Sequence, residues 1–228
     1  MEQLRFLGVG SAFNAALGTN SAFFYHDGNL YLLDCGETVF ERALMANLFD
    51  GARDITVLIT HLHSDHVGSL GTLLGYCYFI LKKPATVVCP NPQLVELMRL
   101  MDIAPHQYRL LPSLDEGGVR AVPVSAKHGG LIAHSYEITV DGETFFYSGD
   151  TSELPETLVA DVASGRVSRA YVDCMDAPES AGHLVMSRLE ALVPHALRAK
   201  FTAMHLNCDY ADKVKALGFA CAKDLLIG

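Results

Sequence analysis

The hydrophobic positions of this chain fall into short runs whose spacing is typical of β-strands. Each run is four to nine residues long, and its side chains are continuously apolar or alternate between apolar and polar. The pattern predicts strands over residues 4–9, 29–34, 55–60, 85–89, 119–124, 132–140, 144–147, 170–173, 201–205 and 224–227. Asp141 and Gly142 separate two of these runs and predict a tight hairpin turn between them.

Helical spacing occupies several of the segments between the strands. It predicts helices over residues 37–48, 68–81, 94–101 and 210–217. The capping-box spacing of Ser187 and Glu190 predicts a further helix that extends towards Arg198. Strands come in runs early and alternate with helices later, which predicts an α/β (α+β) sandwich of two mixed sheets covered by helices. No linker rich in proline, glycine or serine divides the chain, so we expect a single domain over residues 1–228.

Composition excludes several classes of protein. Half of the 228 residues are hydrophobic and the mean hydropathy is +0.22, which excludes a disordered chain. The formal charge of −9 argues against a surface that binds long nucleic acid. No apolar segment is long enough to span a membrane, and the N-terminus lacks the regions of a secretory signal. The six cysteines are scattered without a Cys-x-x-Cys pair, so we expect reduced thiols and a cytoplasmic protein.

Residues 60–68 carry the strongest chemical signal in the chain. They read Thr-His-Leu-His-Ser-Asp-His-Val-Gly and begin at the end of a predicted strand. In an extended backbone His61 and His63 point to the same side, whereas Asp65 and His66 fall in the turn that enters the next helix. One loop thus offers two nitrogens to one metal ion, and an oxygen and a nitrogen to a second. The alternative is a solvated histidine-rich loop, but burying so many polar groups without a metal would be costly.

Three further candidates for metal ligands each lie at or just after the end of a strand-like run. They are His128, Asp150 and His205. Taken alone, each is more simply a structural residue. Together with residues 60–68, they complete a ligand set for two ions about 3.5–4 Å apart.

The His-x-His-x-Asp-His motif resembles that of the metallo-β-lactamase fold superfamily of binuclear metallohydrolases. The glycine-rich loop near the N-terminus and Asp34-Cys35-Gly36 after the second predicted strand fit the same superfamily. The resemblance implies a four-layer αββα sandwich, with the metals at one edge between the sheets.

The resemblance also implies a role for each candidate. His61, His63 and His128 would hold one zinc ion, Asp65, His66 and His205 would hold the other, and Asp150 would bridge the two. A hydroxide between the ions would be the nucleophile, with Asp65 part of the catalytic centre. Asp34 would either orient a ligand histidine or cap a turn. Manganese or iron would suit the same ligands as zinc.

His183 distinguishes among the branches of the superfamily. It lies 22 residues before His205 and just ahead of a predicted helix. This layout is similar to the ribonuclease Z branch and to small phosphodiesterases that open cyclic nucleotides, where the matching histidine helps the leaving group depart. Val185 stands where that branch has a hydroxyl residue. The alternative for His183 is a surface histidine at a helix entry.

The short spacings favour a small substrate. Only 22 residues separate His128 from Asp150 and 33 separate Asp150 from His183, which leaves no room for a long arm that grips tRNA. We therefore expect a phosphodiesterase that acts on a small anionic phosphodiester such as a cyclic nucleotide. An RNA-processing endonuclease, a thioester or lactone hydrolase, and a non-catalytic binding protein remain as alternatives. Because relatives often form dimers, a homodimer is a further expectation.

Substrate contacts are expected near the predicted ligands. The loop over residues 8–14 is rich in glycine and would bring backbone N–H groups close to an anion, although a tight strand connection has the same sequence pattern. The candidates are Ser11, Asn14, His134 and Asn207, each with a structural role as its alternative.

Overall fold

The computed structural model describes residues 4–227 as two β-sheets packed between layers of helices. The first sheet contains six strands in chain order, β1 (Arg5–Gly8), β2 (Ser21–His26), β3 (Asn29–Leu33), β4 (Ile55–Leu58), β5 (Ala85–Val88) and β6 (Tyr108–Leu111). Its first three strands are antiparallel, and β3 to β6 run parallel to one another.

The second sheet repeats this division into an antiparallel and a parallel half. Its strands are β7 (Leu114–Glu116), β8 (Val119–Ala126), β9 (Ala133–Val140), β10 (Glu143–Tyr147), β11 (Arg169–Asp173), β12 (Phe201–Met204) and β13 (Ala220–Cys221). Strands β7 to β10 are antiparallel neighbours, whereas β10 to β13 are parallel. The predicted hairpin at residues 141–142 joins β9 to β10.

Helices supply the crossovers that parallel strands require. They are α1 (Val39–Met45), α2 (Ser64–Val67), α3 (Leu70–Phe79), α4 (Gln93–Leu100), α5 (Leu158–Ser164), α6 (Met186–Leu192) and α7 (Ala211–Ala216). Short 3₁₀ segments cover Pro105–Gln107, His195–Lys200 and Ala222–Leu225. No helix within residues 4–227 combines the length and the apolar character needed to cross a bilayer.

The alternation of side chains along β3 shows how the layers are joined. Leu30 and Leu32 pack in the cluster that α1, α3 and α4 cover, whereas Tyr31 faces the second sheet. Tyr31 stacks on Phe24 of β2 with ring centroids 4.8 Å apart, and Phe24 meets Phe145 of β10 edge to face at 5.8 Å. The predicted αββα sandwich is therefore confirmed.

Two local predictions are wrong for physical reasons. Residues 224–227 do not form a strand, because the first two lie in a 3₁₀ turn and only Leu226 makes a bridge, to Phe6. The capping box at Ser187 is absent, since α6 begins one residue earlier at Met186 and its N-terminus has no side-chain cap. That helix ends at Leu192, well before Arg198.

The sequence pattern also left elements undetected. Strands β2, β6 and β7 and helix α5 have no counterpart among the predicted elements. The predicted helix over residues 68–81 becomes α3, with the separate single turn α2 before it. None of these differences changes which strands end at the edge of the sandwich where the candidate ligands lie.

Candidate metal centre

The candidate ligands converge at one edge of the sandwich, where parallel strands from both sheets end. The loop after β4 carries the histidine motif, and the segments after β8, β10 and β12 carry His128, Asp150 and His205. Since parallel strands present their carboxyl ends at the same edge, ligands that are distant in sequence become neighbours. All seven are buried except His63, which is exposed.

Three imidazoles form the first cluster. Nδ1 of His63 lies 3.0 Å from Nε2 of His61 and 3.2 Å from Nε2 of His128. Oδ2 of Asp150 lies 3.9 Å from Nε2 of His61 and 3.8 Å from Nε2 of His128. Four potential ligand atoms thus surround one point, as a tetrahedral metal site requires.

The second cluster contains two carboxylates and two imidazoles. Oδ2 of Asp65 lies 3.3 Å from Nε2 of both His66 and His205. Oδ1 of Asp150 lies 3.2 Å from Nε2 of His66 and 3.3 Å from Nε2 of His205. The two oxygens of Asp150 therefore face different clusters, which is the geometry of a bridging carboxylate.

Gly149 explains how the backbone presents Asp150. Its φ of +56° is the left-handed region that favours glycine, and a Cβ there would lie 2.7 Å from Cβ of Thr60. No residue with a side chain would allow this approach of the strand end to the histidine loop.

Buried atoms of the second cluster lack protein partners. Nε2 of His66 and Oδ1 of Asp150 are fully enclosed, and neither has a hydrogen-bond partner within residues 4–227. Such atoms are costly to bury unless something else satisfies them. A cation between them would do so, and the donor set of imidazole nitrogens and carboxylate oxygens suits zinc, manganese or iron. The residues present therefore fit a metal cofactor.

Carboxylates lie behind the two histidines of the second cluster, and the one behind His66 is hydrogen-bonded to it. Nδ1 of His66 donates to Oδ2 of Asp34 at 2.8 Å, and Asp34 also accepts from the backbone and hydroxyl of Thr60. Oδ1 of Asp173 lies 3.5 Å from Nδ1 of His205. Because the Nδ1 proton of His66 is committed to a carboxylate, its Nε2 lone pair faces the cluster. Of the two roles expected for Asp34, the structure shows the contact to a ligand histidine.

Neutral groups hold two histidines of the first cluster. Nδ1 of His128 donates to the carbonyl of Gly182 at 2.8 Å, and Nδ1 of His61 lies 3.2 Å from the hydroxyl of Thr60. A carbonyl oxygen can only accept, so Nε2 of His128 is left free as a ligand.

The charges within the second cluster reinforce one another. Burial raises the pKa of Asp150, but the nearby His205 and His66 outweigh it and hold this pKa well below its usual range. Burial lowers the pKa of His205, yet the carboxylates around it, Asp150 foremost, raise it to about 10. In the first cluster burial dominates and lowers the pKa of His61 to about 2. The carboxylates of the second cluster thus favour positive charge beside them.

His183 lies beside both clusters. Its Nδ1 donates to Oδ2 of Asp173 at 2.8 Å, and its ring stacks on that of His205 with centroids 5.1 Å apart. Burial lowers the pKa of His183, but the hydrogen bond and charge of Asp173 outweigh this and raise it. The imidazole lines a cavity of about 310 Å³ whose floor includes Asp65, Asp150 and His205.

Of the four residues predicted to contact substrate, only Ser11 lines this cavity. Asn14 and Asn207 instead bond to backbone, the first donating to the carbonyl of Leu206 at 3.3 Å and the second pairing with the backbone of Asp176. His134 lies on β9, paired with β8.

The loop over residues 8–14 is also a poorer anion cradle than its glycines suggest. The N–H groups of Val9, Gly10, Ser11 and Asn14 all donate to backbone carbonyls. Those four N–H groups are thus committed within the protein, as they are in a tight strand connection.

Sequence reasoning missed Asp173, Phe13 and Met175, which the structure places at the site. The signal for Asp173 was available, since an acidic residue at the end of a predicted strand matches the placement of the other ligands. No sequence signal singles out Phe13 or Met175.

Comparison with known sequences connects the chain to two groups of proteins. Residues 2–102 match the family model described as anti-Pycsar protein Apyc1. The anti-Pycsar protein Apyc1 of Paenibacillus xerothermodurans is 29% identical over 228 aligned positions, which cover 90% of this chain and 88% of that protein. Ribonuclease Z of Mycobacterium avium (strain 104) is 50% identical over 48 residues, covering 21% of this chain and 16% of that protein.

Solved structures decide the fold. The metallo-β-lactamase fold protein YhfI from Bacillus subtilis superposes with a TM-score of 0.76 over 98% of this chain and 92% of its own, at 18% identity. The chain has the metallo-β-lactamase fold. A diphosphatase from the PhnP family gives the same TM-score of 0.76 at 17% identity, over 96% of this chain and 93% of its own. The chain thus combines this fold with two clusters of candidate metal ligands.

Proposed function

We propose that this chain is a two-zinc phosphodiesterase that opens small cyclic nucleotides, with His183 as the proton donor to the leaving oxygen. The observation that carries the proposal is the position of His183, which is held by Asp173 beside both ligand clusters. Hydrolysis of a thioester or lactone needs no such acid, because those leaving groups depart readily.

The ligand roles follow from the two clusters. His61, His63 and His128 would hold one ion, the second cluster would hold the other, and Asp150 would contact both. Ions bound there would activate water and stabilise negative charge on the phosphoryl oxygens.

The pair of Asp173 and His183 fixes a proton at a defined atom. Since the Nδ1 proton of His183 is donated to Asp173, its other nitrogen, Nε2, is the one available to substrate. The raised pKa of His183 keeps the ring protonated to higher pH than an ordinary histidine. An alkoxide is a poor leaving group, and a protonated imidazole beside it would supply the proton that it needs.

The size and charge of the site support a small substrate. A cavity of about 310 Å³ lies at the lower end of the range for small-molecule sites. The chain carries a net charge of −9, which opposes binding of a long polyanion along its surface. Relatives named anti-Pycsar protein Apyc1 and diphosphatase support phosphoester chemistry without a polymer.

An RNA-processing endonuclease is the second candidate. The 48-residue similarity to ribonuclease Z favours it. The match covers only 16% of that protein, so the sequence similarity does not extend over most of its length.

The first experiment is an activity panel on the zinc-loaded and manganese-loaded protein. We expect turnover of bis(p-nitrophenyl) phosphate and of at least one cyclic mononucleotide, with no cleavage of a tRNA precursor. Rapid cleavage of a thioester or lactone with no turnover of any diester would overturn the proposal. Cleavage of the tRNA precursor alone would favour the endonuclease.

The second experiment tests the proton donor. We expect His183→Ala to lower kcat on a cyclic nucleotide by about 10²–10⁴-fold, the usual range for a general acid. The loss on bis(p-nitrophenyl) phosphate should be much smaller, because p-nitrophenolate leaves without protonation. Metal content is measured alongside and should stay constant. Equal losses on the two substrates would contradict the role of His183 as acid.

Three expectations from the sequence belong to the proposal as well. They are a single domain, a homodimer and a cytoplasmic location. The shared core between the two sheets supports the first, and six unpaired cysteines support the last. Light scattering on the purified protein tests the dimer.

A further inference from the structure

Phe13 is an exposed aromatic residue at the mouth of the catalytic cavity. Its side chain is 101% exposed, compared with 76% for Met45, the next most exposed large hydrophobic residue within residues 4–227. Phe13 also lines the cavity that contains Asp65 and His183. A large apolar side chain left wholly in water at such a position is available to pack against a ligand.

The turn that carries Phe13 is fixed to the metal centre. The N–H of Ser11 and the side-chain amide of Asn14 both donate to the carbonyl of Leu206, at 3.1 and 3.3 Å. The N–H of Asn14 also donates to the carbonyl of Ser11 at 2.9 Å, which closes the turn around Phe13. Leu206 directly follows the candidate ligand His205, so the turn and the cluster are held together.

The cavity has a mixed lining. Asp65, Asp150 and His183 are polar residues of this lining, whereas Phe13 and Met175 are apolar. The backbone of Met175 is bonded to Leu184 and Met186 on either side of Val185, which holds it close to His183. With cations held at the two clusters, a ligand that matches both parts of this lining would have an anionic group and a flat apolar group.

We infer that Phe13 is a specificity-determining residue whose ring stacks on the base of a cyclic nucleotide while the phosphodiester lies at the ligand clusters. This inference rests on the proposed phosphodiesterase function. Stacking on an aromatic side chain is tolerant of base identity, since every base presents a π-face. Phe13 therefore selects for the presence of a base rather than for one base.

The test compares Phe13→Ala with the unaltered protein on two substrates. One is 3′,5′-cyclic AMP, and the other is the 3′,5′-cyclic phosphate of 1,2-dideoxyribose, which has the same ring but no base. We expect Phe13→Ala to raise KM for the nucleotide by roughly 5- to 50-fold, as loss of one stacked base predicts. Its kcat, its metal content and its KM for the base-free substrate should not change.

Two further variants complete the experiment. Phe13→Trp should restore the low KM for the nucleotide, because indole offers a similar face. Phe79→Ala removes an exposed phenylalanine that does not line the cavity, and it should leave both substrates unaffected.

If Phe13→Ala and the unaltered protein have the same KM for the nucleotide, the inference is wrong but the proposed function stands. The same holds if Phe13→Ala raises KM equally for both substrates. Failure of the unaltered protein to hydrolyse either diester would overturn the proposed function, and the inference with it.

Discussion

The two ligand clusters share Asp150 but differ in how they are built. The second cluster combines buried carboxylates with buried imidazoles, and Asp65, His66 and His205 are each no more than 3% exposed. The first cluster contains imidazoles, and its member His63 is exposed. Both clusters adjoin the cavity, but only the first has a candidate ligand that is exposed to solvent.

The groups that contact the far nitrogen of each histidine are charged in the second cluster and neutral in the first. In the second cluster, His66 and His205 face the carboxylates Asp34 and Asp173. In the first, the partners of His61 and His128 are a hydroxyl and a carbonyl. A carboxylate behind a ligand histidine makes the ring more basic and fixes its orientation. We therefore expect the second cluster to hold its ion more tightly than the first.

The largest effect is expected where the clusters meet. Asp150→Ala removes an oxygen from each cluster, so both ions should be lost and kcat should fall by more than the roughly 10⁴-fold upper limit for a single proton donor. Metal analysis by mass spectrometry together with the diester assay measures both. Asp115→Ala, at an exposed position on β7, serves as control and should retain full activity. Retention of two ions by Asp150→Ala would show that Asp150 does not bridge.

A smaller effect is expected when one cluster alone is altered. His63→Ala should leave one tightly held ion per chain, because the second cluster keeps all of its ligands. Graded treatment of the unaltered protein with a chelator should remove the ions in two steps. The faster step should be the loss of the ion at the first cluster, which is the ion that His63→Ala lacks. Loss of both ions in a single step, or a His63→Ala protein without any ion, would remove the distinction between the clusters.

The convergence of the candidate ligands could be predicted from sequence because they obey a local rule. Four lie within residues 61–66, and the other three lie at or just after predicted strand ends. Asp173 obeys the same rule, but its importance depends on His183, ten residues later, and that contact requires the folded loop between them.

Contacts between distant segments were beyond the sequence pattern. Asn14 is a plausible substrate contact by position, yet its amide bonds to a carbonyl 192 residues away. Short elements were lost for a different reason, since the three residues of β7 are too few for a period of two to register. The six residues of β2, by contrast, are long enough for their apolar pattern to predict a strand.

The smallest effect is expected behind a single ligand. Asp34→Asn keeps the shape of the side chain but removes the charge that faces Nδ1 of His66. The affinity of the second cluster for its ion should fall by about 10–100-fold, the usual cost of losing such a partner. The affinity of the first cluster for its ion should stay unchanged. Competition with a zinc-sensitive dye measures both constants, and Asp54→Asn at an exposed position is the matched control. Because the ligands themselves are intact, kcat at saturating zinc should return to within a few-fold of the original. An equal loss of affinity for both ions would mean that Asp34 supports the whole edge of the sandwich rather than the second cluster. The two clusters would then differ only in the exposure of their residues.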